Sequence, residues 1–341
     1  DECFLPMTST TNLNYNLVNN DDWYDVINST VDYKEEIVQA DLGFIFRHPT
    51  AVLYVSESDM VLVGSRIGVI SISTVDYSFT ILNFNGLKEE FVRDIKSYNE
   101  ELYILTDDNL YKSSDSGVSW IKEELPELSG KFFQLVQFRG FFVISTDNGI
   151  YHKELIKGHW ERVLSHTEVR LLHSDRYLVA IKNGADIYYS TNIVDWVFAG
   201  RLTNGGVTNT VDDFLGTIRV NSVKSYNDIL LLATDKGLRF DNSTFYTEFA
   251  ATSLIDVEGD FSESSGIEFN DIDVKSDEYV GGTSEGYYYV YNGSSYTKTT
   301  TELSSIQKII YVGDDIWAFG YDMLKVSSLD YAIKISFAVP F

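Results

Sequence analysis

The sequence predicts an all-β fold built from one short antiparallel unit repeated seven times, and three observations carry that reading. The first is an internal repeat. Residues 101–111 read ELYILTDDNLY, and residues 141–151, forty positions later, read FFVISTDNGIY. The second is composition: aromatic residues make up 14% of the 341, with 23 Tyr and 21 Phe, which suits pleated strands better than helices. The third is punctuation. Only 4 Pro occur, and Gly falls where hairpins are due, as antiparallel strands allow.

Residues 1–40 include the polar run NYNLVNNDDWYDVINST and show no sustained period of 2 or 3.6, so they read as an extended arm with a short strand or two. From Asp41 onward one unit recurs: strand, strand, tight turn, strand, turn, strand. The first copy is DMVLVGSRIGVI (59–70), with Gly68 in the turn. FNGLKEEFVRD (84–94) is the nearest candidate for a helix, and a turn is expected there instead. In the two clearest copies the tetrads Thr106-Asp107-Asp108-Asn109 and Thr146-Asp147-Asn148-Gly149 occupy one place. Each ends on a residue that tolerates left-handed backbone, Asn109 or Gly149, which is expected to close a hairpin. Tyr111 precedes Trp120 by nine residues, as Tyr151 precedes Trp160, so the outer strand and turn repeat as well. Residues 176–189 and 315–326 supply looser copies. ILLLATDKGLRF (229–240), with a turn at Thr234-Asp235-Lys236-Gly237, and EYVGGTSEGYYY (278–289), with Gly286, complete the set.

An interval of about 37 to 51 residues with four short strands per copy is the signature of a β-propeller. The expectation is one seven-bladed ring of four-stranded blades over residues 41–341, or six blades if a weak copy belongs to the arm. The arm is expected to supply the outer strand of the last blade and latch the ring. Two connections, residues 200–216 and 250–266, stretch their repeats; loops beyond about 12 residues often carry function.

Residues 110–120, LYKSSDSGVSW, carry the most specific local pattern. Asp115 can accept hydrogen bonds from nearby backbone N–H groups, Gly117 can take a positive φ, and Trp120 can pack beneath the turn. Ser113, Asp115, Gly117, Ser119 and Trp120 spell S-x-D-x-G-x-S-W, which resembles the Asp-box of sialidase-type and related β-propellers. That resemblance implies a hairpin between the third and fourth strands of a blade, far from the axis. It implies architecture and no chemistry.

Composition narrows the function classes. A formal charge of −25 and a pI near 4.4 argue against gripping nucleic acid by its phosphates. Cys3 is the one cysteine, which excludes an internal disulfide and a Cys-based zinc site. No apolar run approaches the ~18 residues of a membrane helix. Three N-x-S/T sequons, at Asn28, Asn242 and Asn292, would permit glycosylation in a secretory pathway.

Candidate chemistry is sparse. Phe46-Arg47-His48-Pro49 is similar to the F/Y-R-x-P signature that places a substrate-carboxylate arginine in sialidases, where a planar guanidinium bonds a carboxylate in two-pronged fashion. That family adds two more convergent arginines, a Tyr/Glu nucleophile pair and an Asp acid/base. Arg66 sits where those enzymes often place another arginine, but the first acid after it is Asp76, too far along to assign. Asp256, Glu258 and Asp260, with Asp271 and Asp273, alternate as calcium ligands do, yet lack the spaced glycine and terminal Glu of a calcium loop, and read as solvated acidic loop. His48, His152, His159, His166 and His173 form no close ligand pair and read as surface or edge histidines. Tyr287, Tyr288, Tyr289 and Tyr291 could form a sugar-stacking platform, but at strand spacing they read as two faces of a packed blade.

No catalytic residue, cofactor site or metal site is therefore assigned. The expected function is non-enzymatic: an assembly or interaction protein, taken as a virion component. Propellers are similar in architecture to ring-forming nozzle or hub subunits in the tails of short-tailed phages. The partners implied are other structural proteins of a particle or further copies in a ring, without tight nucleic-acid binding or membrane insertion. The alternatives are a sialidase-like glycosidase and a secreted or cell-surface module that binds glycans or proteins.

Overall fold

A computed structural model describes residues 48–335, except 67, 83–86, 88–89, 126–127, 156–157, 166–167, 204–205, 209–216, 227–228, 242–253, 257–266 and 322. The arm at residues 1–40, Cys3, Asn28, Arg47, His166, Asn242, Glu258 and Asp260 lie outside the described residues, as do most of residues 200–216 and 250–266. The described residues form seven antiparallel sheets, each a sequential meander. They span residues 51–82, 92–123, 132–165, 169–208, 220–256, 269–300 and 308–334. This is a seven-bladed propeller, as the repeats predict.

The first strands are Ala51–Val55, Val92–Tyr98, Phe132–Phe138, Val169–Ser174, Val220–Tyr226, Phe269–Lys275 and Lys308–Val312. Each touches the next, and Lys308–Val312 returns to Ala51–Val55, so together they line a closed ring. The second strands are near-continuous apolar runs such as LYIL and LLLA because both faces of each blade are covered by neighbours. Seven apolar clusters result, one across each blade boundary. Where blades pack most tightly, side chains disappear. A Cβ on Gly282 would sit 2.5 Å from Ile306 Cγ2 of the next blade.

The hairpin between second and third strands is closed by a buried hydroxyl. Ser65, Thr106, Thr146 and Thr234 each end a second strand and donate to the carbonyl of the residue three positions on; Thr283 donates to the one four on. Gly149 has φ +130°, and a Cβ there would meet the Leu164 carbonyl. Asn109 differs from the expectation: it does not take a left-handed φ. Its N–H bonds the Thr106 hydroxyl and its side-chain amide reaches Glu90, so side-chain bonding replaces the strained backbone.

Two further details correct the sequence reading. Blade four has five strands: Val197–Thr203 continues through the start of the supposed loop, and Gly206–Thr208 pairs outside it. Likewise Leu254–Asp256, assigned to a loop, is the fourth strand of blade five and lies beside Gly206–Thr208. The fourth strand of the last blade is Ala332–Lys334, and the arm expected to latch it lies outside the described residues. Most of residues 84–89 lie outside the described residues; Glu90 N–H bonds the Leu87 carbonyl and a strand begins at Val92.

Ring closure is apolar. Val61, Val63, Ile70, Ile72 and Phe79 of blade one pack against Ile310, Trp317, Phe319, Leu324 and Val326 of blade seven. His48 N–H also bonds the Tyr321 carbonyl across this boundary at 3.0 Å. Trp317 is 1% exposed at the centre of that cluster. Trp317→Ala should therefore destabilise the ring by about 3–5 kcal/mol, read as a drop in the urea midpoint; an unchanged midpoint would show that closure rests elsewhere.

Candidate functional site

Each blade is a meander, so its first strand begins at the same end of the ring as its second-to-third hairpin. Backbone bonds fix this geometry: Asp107, Asp147, Asp235 and Ser284 N–H groups reach the carbonyls of Phe91, Lys131, Arg219 and Glu268. We call this end the upper face. The third-to-fourth turns lie on the lower face.

The lower-face turn of blade two is built by the five residues of the S-x-D-x-G-x-S-W pattern. Asp115 Oδ1 accepts from the Ser113 hydroxyl and the Ser119 N–H, both at 2.8 Å, and Asp115 Oδ2 accepts from the Ser119 hydroxyl. Gly117 has φ +89°, and Trp120 Nε1 donates to its carbonyl at 3.0 Å. These bonds, led by the Ser119 hydroxyl, hold the Asp115 carboxyl down at about 2. Blade four carries a drifted version that sequence reading missed. Ser190 and Asn192 stand where Ser113 and Asp115 do, with Val194 and Asp195 N–H groups on Asn192 Oδ1 and Trp196 following. In blade one Asp76 accepts from the Ser78 N–H and hydroxyl. The acid weighed for sialidase-like chemistry is thus a turn-former at the outer rim, and it too is held at about 2, chiefly by Ser73. In blade six Asn292, the described sequon residue, is exposed and bonds the Ser294 and Ser295 N–H groups.

Around the axis, polar side chains of one first strand bond the backbone of the next. The Thr50 hydroxyl donates to the Val92 carbonyl; Asp94 Oδ2 accepts from Leu135 N–H, and Gln134 Oε1 from Leu172 N–H. Asn221 donates to the Phe269 carbonyl and Asn270 to the Ile306 carbonyl. Asp271 accepts from Ile309 N–H and Asp273 from Tyr311 N–H. Lys96, Lys224 and Lys308 balance Asp94, Asp273 and Asp271. Asp271 and Asp273 are therefore seam residues in a strand, which corrects their reading as solvated loop. Asp256 lies in a strand of blade five. Among the described residues no group of three His, Cys, Asp or Glu gathers as metal ligands do.

At the fourth boundary the seam is a histidine. His173 Nε2 lies 2.6 Å from Ser225 Oγ of the next first strand. Burial, with Lys224 and Lys96 nearby, pushes His173 from its ordinary 6.5 down to about 3, so it stays neutral. Of the surface or edge positions expected for the histidines, His173 takes an edge one, on the first strand of blade four. His48 sits at ring closure, edge-on to Tyr321; His152 stacks on Phe141, and His159 pairs with Glu161 in the open.

The upper face holds two polar assemblies. Glu90 accepts from the Thr106 hydroxyl, the Asn109 amide and the Tyr111 hydroxyl, the last at 2.6 Å. Tyr111 is fully buried, and burial together with Glu90 raises its phenol well above the usual range. The second assembly runs across four blades: Arg66 over Phe91, Arg93 over Phe91 and Phe133, and Arg170 over Phe133, at 5.8, 4.1, 5.3 and 5.5 Å. Sequence reading found only Arg66 of this ladder, because its other members come from different repeats. The tyrosine run divides as its strand spacing predicts: Tyr287 and Tyr289 pack towards blade five and Tyr288 towards blade seven.

No protein-family model matches the chain, and no curated protein matches it in sequence. Solved structures share its architecture. YCF48 from Cyanidioschyzon merolae is 13% identical with a TM-score of 0.62, over 83% of this chain and 95% of that one. A YCF48 bound to D1 peptide gives 13% and 0.63, over 83% and 93%. The extracellular domain of the putative one-component system BT4673 from B. thetaiotaomicron is 12% identical with a TM-score of 0.61, over 85% of this chain and 39% of that one. The Neurospora crassa Pan2 WD40 domain gives 10% and 0.56, over 84% and 91%. At these identities the likeness concerns the fold alone.

Two outcomes follow. Trp120 is 6% exposed, so Trp120→Ala should cost about 3–5 kcal/mol; an unchanged melting temperature would refute its role beneath the turn. For His173, the unfolded chain takes up a proton between pH 6.5 and about 3 that the folded chain refuses. Its contribution is complete above pH 6.5 and lost as pH falls towards 3. His173→Gln should flatten the pH dependence of the urea midpoint in that window, whereas parallel profiles would contradict the assignment.

Proposed function

We propose that the chain is a non-enzymatic interaction propeller, a rigid ring that presents loops and faces to a partner protein. One observation carries this reading. Among the described residues, Asp94, Gln134, Asn221, Asp271 and Asp273 of the first strands, where a propeller enzyme would hold its substrate, are spent on backbone groups of the adjoining blade. Three of the upper-face arginines are paired with acids: Arg93 bonds Asp107, Arg170 bonds Glu168 and Arg219 bonds Glu268. The Tyr111–Glu90 pair has the residue types of a sialidase nucleophile, but its phenol is buried. A solved neighbour bound to a peptide and another described as a WD40 domain support a binding role for this architecture.

Within that reading the finer proposal is a virion component, a tail, nozzle or hub subunit held by protein contacts, in which the S-x-D-x-G-x-S-W turn is an Asp-box with a structural role. An acidic ring of charge −25 would let DNA pass without sticking. Exposed Val75, Val118 and Val194 at the lower-face turn tips offer contact points on the rim. The test is twofold: incubation with a fluorogenic sialoside, and size-exclusion chromatography with native particles. No turnover, together with co-elution, is the expected result. Release of the fluorophore would replace the scaffold reading with a glycosidase, and a free monomer with no bound partner would remove the virion role.

A further inference from the structure

We propose that the ladder Arg66–Phe91–Arg93–Phe133–Arg170 on the upper face is a docking site for an acidic, aromatic-containing segment of a partner protein. The inference rests on the interaction reading and names where the partner sits and what chemistry it brings.

The ladder alternates cation and ring across blades one to four. Phe91 and Phe133 come from the heads of adjoining first strands, so ring closure itself sets their spacing. Both are half-buried rather than sunk in the core. A guanidinium laid over a ring still presents the N–H edge that bonds carboxylates in two-pronged fashion; at Arg93 and Arg170 that edge already meets Asp107 and Glu168, and at Arg66 it meets no acid among the described residues. Stacking also fixes the long side chain in advance, so less freedom is lost on binding.

The arginines are not all neutralised. Arg93 pairs with Asp107, and the Arg170 side chain bonds Glu168 while staying 66% exposed. Arg66 is exposed and has no acidic partner among the described residues. Lys131, 61% exposed, adds a cation 3.8 Å from Asp107. A run of stacked cations stands out on a chain with 51 acidic and 26 basic residues. Carboxylates complement the arginine edges, and aromatic side chains complement the exposed parts of the half-buried Phe91 and Phe133 rings. Single-stranded nucleic acid also offers anions and planar bases, and its binding is one outcome of the test.

The experiment uses fluorescence anisotropy with a short labelled peptide of alternating Glu and Tyr. A peptide with Lys in place of Glu and a thymidine oligonucleotide serve as comparisons. The acidic peptide should bind with a Kd of about 10–100 μM at low salt and more weakly as salt rises. Arg66→Ala with Arg170→Ala should weaken it at least about tenfold. Arg162→Ala, on the exposed outer strand of blade three, should leave it unchanged. Equal binding by the double variant, tighter binding of the lysine peptide or the oligonucleotide, or no saturation by about 1 mM would overturn the proposal. Sialoside turnover measured on the same samples separates the two readings. Turnover with peptide binding intact removes the scaffold role but keeps the ladder site. Lost peptide binding without turnover removes only the ladder site.

Discussion

The inner strand of each blade pairs along one edge only, and its other edge faces the axis with backbone N–H and C=O groups that no strand can reach. Buried and unpaired, each such group would cost roughly 1–3 kcal/mol. At five of the seven boundaries the described residues resolve this with side chains of the preceding blade. Asp94, Gln134, Asp271 and Asp273 accept from backbone N–H groups of the next first strand, and Thr50, Asn221 and Asn270 donate to its carbonyls. Apolar clusters press the blades together, but this polar seam sets the register in which they meet. Charge follows the same logic, since three lysines sit beside the seam aspartates.

That constraint shapes what the molecule can do. Asp94, Gln134, Asn221, Asp271 and Asp273 are committed to joining adjacent blades. What remains available lies at the two faces. The lower face carries Asp- and Asn-centred turns with valine tips, while the upper face carries the stacked arginines. Both are rigid platforms, because the turns and strand heads that bear them are pinned by bonds to their own blades.

The sequence announced the ring through features local to each repeat. The Thr-Asp-x-x tetrads, Trp120 nine residues after Tyr111, and glycines at turns are all read within one blade, and the blade count followed. Where a neighbouring element decided the outcome, legibility failed. Asn109 was expected to bend its backbone, but Glu90, nineteen residues earlier, holds its side chain instead. Asp271 and Asp273 look like solvated acids until the strand of blade seven covers them. His173 looks unremarkable until Ser225, 52 residues later, meets it across a boundary. The arginine ladder draws on four repeats, and no spacing in one dimension reports it. The blade-four turn, with Asn192 for Asp115, was readable in principle but lacked the glycine that made its counterpart conspicuous.

The central claim is that the first-strand edges are satisfied by side chains from the neighbouring blade. Native-state hydrogen exchange tests it most directly, through the amides of Leu135, Leu172, Ile309 and Tyr311. With the seam intact, these four should exchange only through global opening, as slowly as the amides of second strands such as Glu101–Thr106. Asp94→Ala should release Leu135 while leaving Ile309 and Tyr311 protected. Exchange of all four at the rate of exposed turn amides in the unaltered protein would contradict the account.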